Sequence, residues 1–175
     1  MKQWKPPSRR ERALYVLMLL QMVLGVIYGI VFGPHLGLEI LLHVGWIVLA
    51  VGLVFFFLGP YELHKKGKAP KGARCVFTLA LVDSGAYAIV RHPQTLGFIL
   101  LMSASVLISQ HWLSAILNVS IIVYACVISR KEEQSNIEKF GDDYRRYMQK
   151  VPRMNLLLGV TRLLLRRKRE RKADE

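Results

Sequence analysis

The sequence predicts an all-α integral membrane protein with four transmembrane helices, a cytoplasmic C-terminal cap helix and an interfacial basic tail. Three observations lead there. Of 175 residues, 53% are hydrophobic, yet the formal net charge is +13. A soluble domain of this length is less apolar and closer to neutral. A basic nucleic-acid binder would account for the charge but not for the apolar excess, so no nucleic-acid partner is expected. The apolar residues are also clumped: 13–32 carries no charged side chain, and 40–58 has only His43 as an ionisable group. At 1.5 Å rise per residue, each run is long enough to cross a hydrocarbon core of about 30 Å. Finally, the Lys and Arg residues fall on one side of every predicted crossing.

The first run follows a basic tail, as a signal peptide's would. It is too long for a signal h-region and no A-x-A site follows it, so it is expected to stay as a helix. Gly25, Gly29 and Gly33 recur at four-residue spacing along it, and Gly45 and Gly52 lie seven apart in the second run. Small residues in a row let membrane helices approach closely, and the expected pairing is helix 1 on helix 2 of the same chain, with a dimer seam as the alternative. The stretch Pro60 to Pro70 is rich in Gly, Pro and Lys and reads as irregular. Cys75 to Val82 is apolar but too short to span, which suggests a juxtamembrane piece. Two further runs, about 94–109 and 113–129, carry Ser103, Ser105, Asn118, Ser120 and Tyr124, which are costly against lipid and are expected to face protein or a cavity. Met154 to Leu165 is again too short to span and ends in Arg166, Arg167, Lys168, Arg169, Arg171 and Lys172. That pattern fits an interfacial helix and a polybasic tail drawn to anionic lipid. Cys75 and Cys126 form no CxxC pattern, and no disulfide is expected.

The charges orient the bundle. Lys2, Lys5, Arg9, Arg10 and Arg12 precede helix 1, six basic residues lie between helices 2 and 3, and the remaining fourteen follow helix 4. The connections 33–37 and 110–112 contain no Lys or Arg. By the positive-inside rule both termini and the middle loop are cytoplasmic, giving a multi-pass protein.

Two polar clusters then stand out. One is Gly85-Ala86-Tyr87-Ala88-Ile89-Val90-Arg91-His92-Pro93, just before helix 3, and the other is Arg130-Lys131-Glu132-Glu133, just after helix 4. A helix 3–helix 4 hairpin brings its open ends together at the cytoplasmic interface, and Pro93 suits a first helical turn. Taken singly, Arg91 could snorkel to headgroups, His92 could cap the helix, and Glu132 with Glu133 could be a solvated patch. A metal site is not expected, because His92 and two carboxylates lack further ligands at helical spacing. Glu39 and His43, at i and i+4 near the outer end of helix 2, read as an interfacial pair rather than as ligands.

The order Gly85-x-Tyr87-x-x-Val90-Arg91-His92-Pro93-x-x-x-Gly97, Glu132-Glu133, Phe140-Gly141-x-x-Tyr144-x-x-Tyr147 and Val151-Pro152-Arg153 resembles the isoprenylcysteine carboxyl methyltransferase family and the related small phospholipid N-methyltransferases. The resemblance implies S-adenosylmethionine as cofactor, S-adenosylhomocysteine as product and a lipophilic methyl acceptor in the bilayer. It implies cofactor binding by Tyr87, Arg91, His92, Gly97, Glu132 and Glu133. Catalytic roles would fall to Glu133, Arg130 and Arg91. The residue types suit such a cofactor, since carboxylates can take a ribose diol and an ammonium, and Arg or His can take a carboxylate. A cap over 135–150 would carry Phe140, Tyr144 and Tyr147 on one face; the same face could equally rest on the bilayer. Domain by domain, 1–60 is a transmembrane hairpin, 61–153 a methyltransferase-like core, and 154–175 the interfacial helix and basic tail.

Three positions depart from the family pattern. Thr95 stands where a Tyr usually follows the His-Pro pair, and Asn136 replaces a usual Leu. Ile128 stands where an Arg is expected to hold a substrate carboxylate, leaving Arg130 as the nearest substitute. The acceptor therefore stays open between an isoprenylcysteine-like carboxylate and a phospholipid amine. The alternative from another class is a non-catalytic membrane adaptor that gathers anionic lipid through its tail. A nicotinamide-dependent membrane reductase ranks last, since nothing resembles a dinucleotide site.

Overall fold

A computed structural model describes residues 9–68 and 78–173. Among these every regular element is a helix, and there is no strand. The elements are α1 (Arg9–Phe32), α2 (Glu39–Lys66), a 3-10 turn at Gly85–Ala88, α3 (Pro93–Ser109), α4 (Trp112–Phe140), α5 (Asp142–Lys150) and α6 (Leu156–Ala173). By length and composition α2 and α4 can each cross a membrane, and only 17% and 22% of their most apolar windows are buried. Such exposure is unlike a soluble core helix and suits a lipid-facing one. Val16–Phe32 and Pro93–Ser109 form shorter apolar helices. Of the juxtamembrane stretch expected at Cys75 to Val82, 75–77 lie outside the described residues and 78–82 form no helix; Lys2 and Lys5 also lie outside them.

The chain divides into two compact units, 1–50 with 100–122 and 51–99 with 123–175. In the first, the small residues receive α3. A Cβ on Gly25 would lie 3.3 Å from the Ser105 Cβ, and one on Gly29 or Gly45 would run into Ile108. This corrects the expected α1–α2 seam: glycine spacing marks a face for close approach but not the helix that fills it. Gln110 ties the α3–α4 connection to the start of α2. Its amide accepts from the Leu38 N–H at 3.1 Å and donates to the Leu38 carbonyl at 2.7 Å. Ser105 and Asn118 are buried as expected, whereas Ser120 is exposed.

In the second unit two expected breaks are absent. Helix α2 continues through Pro60 to Lys66. A proline inside a helix removes one N–H and strains the turn before it. Tertiary contacts hold this one: Gly59 lets α2 approach Pro93 and Gln94, and the Glu62 carboxylate accepts the Ala86 N–H at 2.7 Å while pairing with Lys66 at 3.3 Å. Gly85, at φ +68, leaves the room that Glu62 occupies. Helix α4 likewise runs past Ser129 to Phe140, so that Arg130 through Glu133 are helical. Gly141, at φ 58, then ends it, and its N–H bonds the Ile137 carbonyl at 2.9 Å. A glycine in the left-handed region is a common helix stop. The cap expected as one piece over 135–150 is thus the end of α4 plus the short α5. Tyr144, Tyr147 and Val151 form a buried cluster packed by Leu81, Ile137, Phe140 and Met148, so Tyr144 and Tyr147 face protein. The basic tail is helical too, continuous with α6. That helix starts where Asn155 Oδ1 accepts the Leu158 N–H at 3.0 Å.

Candidate functional site

Arg91 and His92 sit on the short non-helical step between the 3-10 turn and α3, and the segment after α5 fixes their backbone. The Arg91 N–H donates to the Pro152 carbonyl at 3.0 Å, and the His92 N–H donates to the Arg153 carbonyl at 3.2 Å. This two-bond ladder explains why Val151-Pro152-Arg153 accompanies Arg91-His92 in the motif order. Proline cannot donate, but its carbonyl can accept. The 3-10 turn is held from α5, whose Tyr147 hydroxyl donates to the Tyr87 carbonyl at 2.6 Å. Burial raises the Tyr147 phenol above its ordinary pKa, so it stays a neutral donor.

Helix α4 places Glu133 on its buried side and Glu132 one residue away, its side chain 52% exposed. Three cations converge on Glu133. Arg91 Nη2 lies 2.8 Å from Oε1, His92 Nε2 lies 3.4 Å from the same oxygen, and Arg153 pairs with Oε2. Glu132 takes His92 Nδ1 at 3.3 Å. Arg91 also donates to the Met148 carbonyl at 2.9 Å, tying the cluster to α5. Desolvation by burial lowers the His92 pKa. The hydrogen bonds and charges of Glu132 and Glu133 together outweigh it, and the net shift is upward.

The pairs are close but not all well aligned. Among the described residues, Arg91 Nε, His92 Nε2, Glu133 Oε1 and Arg153 Nε are buried without an aligned hydrogen-bond partner. Buried polar atoms normally find one, and a group of four at one place is a local surplus of donors and acceptors.

Of the residues named from sequence, Arg91, His92, Glu132 and Glu133 come together here. Tyr87 joins through its carbonyl. Gly97 faces α2, where a Cβ would strike the Phe56 backbone and the Gly52 carbonyl oxygen. Arg130 is exposed on α4, outside the ion-pair cluster. Sequence reasoning gave no role to Arg153 or to the Met148 carbonyl. The place of Val-Pro-Arg at the end of the motif series was a signal for the former; a main-chain acceptor leaves none.

The sequence profile of the phospholipid methyltransferase family matches residues 28–143. This stretch is well over half of the chain and contains Arg91, His92, Glu132 and Glu133. The chain belongs to the phospholipid methyltransferase family. Membership makes it a membrane methyltransferase acting on a lipid-like substrate, and the resemblance read from the motifs holds at family level. Arg153 and α6 lie beyond the matched stretch. No curated protein and no solved structure matches the chain significantly.

Proposed function

We propose that the chain is an S-adenosylmethionine-dependent methyltransferase whose cofactor is held by the cluster around Glu133, and whose acceptor is an isoprenylcysteine-like carboxylate or a phospholipid amine. The observation that carries this reading is the buried Glu133 with Arg91, His92 and the part-exposed Arg153 around it, and with polar atoms left unaligned. Its donors suit the cofactor's carboxylate, and its carboxylates suit the ammonium and ribose diol. Bound there, S-adenosylmethionine would supply an electrophilic methyl group on its sulfonium.

The chain's own residues then divide the work. Arg91 and Arg153 neutralise Glu133 and hold it in place, and α5 fixes Arg91 through the Met148 carbonyl. A carboxylate acceptor is already ionised and needs alignment and loss of water, with Arg130 the candidate cation to hold it. An amine acceptor must first lose a proton. Glu132 is better suited to take it than Glu133, because it is half exposed and, among the described residues, its one ion pair is with His92. Four spans with both termini cytoplasmic would put this chemistry at the inner interface, with the basic tail on anionic lipid.

Calorimetric titration of the detergent-solubilised protein with S-adenosylhomocysteine tests the cofactor. Saturable heat from wild type, lost in Glu133→Gln, is expected. A wild type that gives no heat would sink the reading.

A further inference from the structure

Helix α6 carries Arg162, Leu165, Arg166 and Arg169 at i, i+3, i+4 and i+7, a spacing that puts them on one helical face. Together with Lys150, at the C-terminal end of α5, they line a cleft of about 250 Å³. Four of its five lining residues are basic and none is acidic; their aliphatic stems form most of the cleft surface, so their charged ends stand at its rim. Main-chain carbonyls tether two of the cations. Arg166 Nη2 donates to the Ala88 carbonyl at 3.0 Å, and Arg162 Nη1 donates to the Gln149 carbonyl at 3.4 Å. These bonds orient the guanidinium groups but do not cancel their charge. Four like charges around one small cleft repel, and an anion placed among them relieves that repulsion.

The fifth wall is Leu165, and it continues outward. Leu157, Leu158, Val160, Leu164 and Leu165 are all exposed on α6. A helix with an apolar strip beside a basic one lies in the headgroup layer, with its leucines at the acyl boundary. A free anion has no use for that apolar wall, whereas an amphiphile uses both.

We propose that the Lys150–Arg162–Arg166–Arg169 cleft is a discrete site for the phosphate headgroup of an anionic phospholipid. The headgroup would sit among the charged ends at the rim, and the acyl chains would run over the aliphatic floor, Leu165 and the exposed leucines. This deepens the reading of the basic tail as an anionic-lipid contact, and rests on it, by replacing diffuse attraction with one built site. Occupancy would also brace the cofactor site. Arg166 holds the 3-10 turn at Ala88, and Gly159 brings α6 against the Ile89 carbonyl two residues before Arg91.

The test is a titration of detergent-solubilised full-length protein with short-chain phosphatidic acid, short-chain phosphatidylcholine and inorganic phosphate. Two double variants remove the same charge: Lys150→Gln with Arg169→Gln inside the cleft, and Arg171→Gln with Lys172→Gln on the same helix outside it. Wild type should bind phosphatidic acid saturably and in preference to the other two probes. The cleft pair should weaken that binding about tenfold or more, and the outer pair only slightly. The thermal melt and helical circular dichroism of the cleft variant without lipid, run alongside, should match wild type and so report a folded protein. Equal losses from the two pairs would overturn the discrete cleft while leaving general tail attraction in place. Inorganic phosphate binding as tightly as the lipid would overturn the lipid as occupant. Absence of any lipid binding to wild type would remove the tail reading and the cleft together.

Discussion

Burial and charge pull His92 in opposite directions, and the two glutamates win: its pKa in the fold lies above the ordinary 6.5. Protonated His92 therefore contributes stability that is complete below about that value and is lost as pH rises through the higher folded value. The melting-temperature gap between wild type and His92→Asn should be widest in mild acid and narrow toward alkaline pH. A gap that widens with pH would mean the imidazole is held neutral. Arg153 is the cation that sequence reasoning left without a role. Arg153→Gln should cost about 1–2 kcal/mol in denaturant unfolding, less than a lone buried pair, because Glu133 keeps Arg91 and His92. Arg130 separates the two acceptors. If a carboxylate is held there, Arg130→Ala should raise its KM about ten- to a hundred-fold while S-adenosylhomocysteine affinity stays at wild type; unchanged acceptor kinetics would favour an amine.

Helix ends and partners were the least legible elements. Pro60 and the Lys-rich stretch after it read as a loop, because local chemistry favours one. The helix persists because Glu62 is committed to the Ala86 N–H and to Lys66, and the first of these contacts spans 24 residues, beyond any local pattern. Gly141 was visible in the motif, but its role as the stop between α4 and α5 depends on a positive φ that sequence does not display. Gly97 shows how one residue type supports two readings. The family resemblance puts it beside the cofactor, whereas the fold sets it against the α2 backbone. Gly97→Ala separates these roles. Backbone crowding predicts a loss of about 1–3 kcal/mol in stability. A variant that melts like wild type but binds S-adenosylhomocysteine weakly would instead place Gly97 at the ligand.

At the scale of the whole chain, two readings rested on different physics. The all-helical membrane class followed from uninterrupted apolar runs, since a span must satisfy every backbone hydrogen bond internally. The proposed sidedness rests on the distribution of Lys and Arg, which no fold is needed to see. Reporter fusions at the C-terminus and within 33–37 should give cytoplasmic and extracytoplasmic signals respectively; like signals from both would refute an odd number of spans between them. The convergence on Glu133 was half legible. Motif order pointed to Arg91, His92 and the glutamate pair, but the ladder from Pro152 and Arg153 required the fold. The central claim is that this cluster serves methyl transfer. The most direct measurement incubates purified protein with methyl-labelled S-adenosylmethionine and a total lipid extract, and counts label in the lipid phase. Wild type should label lipid, and Glu133→Gln should abolish the labelling while remaining folded. Labelling by Glu133→Gln at the wild-type rate would contradict the account.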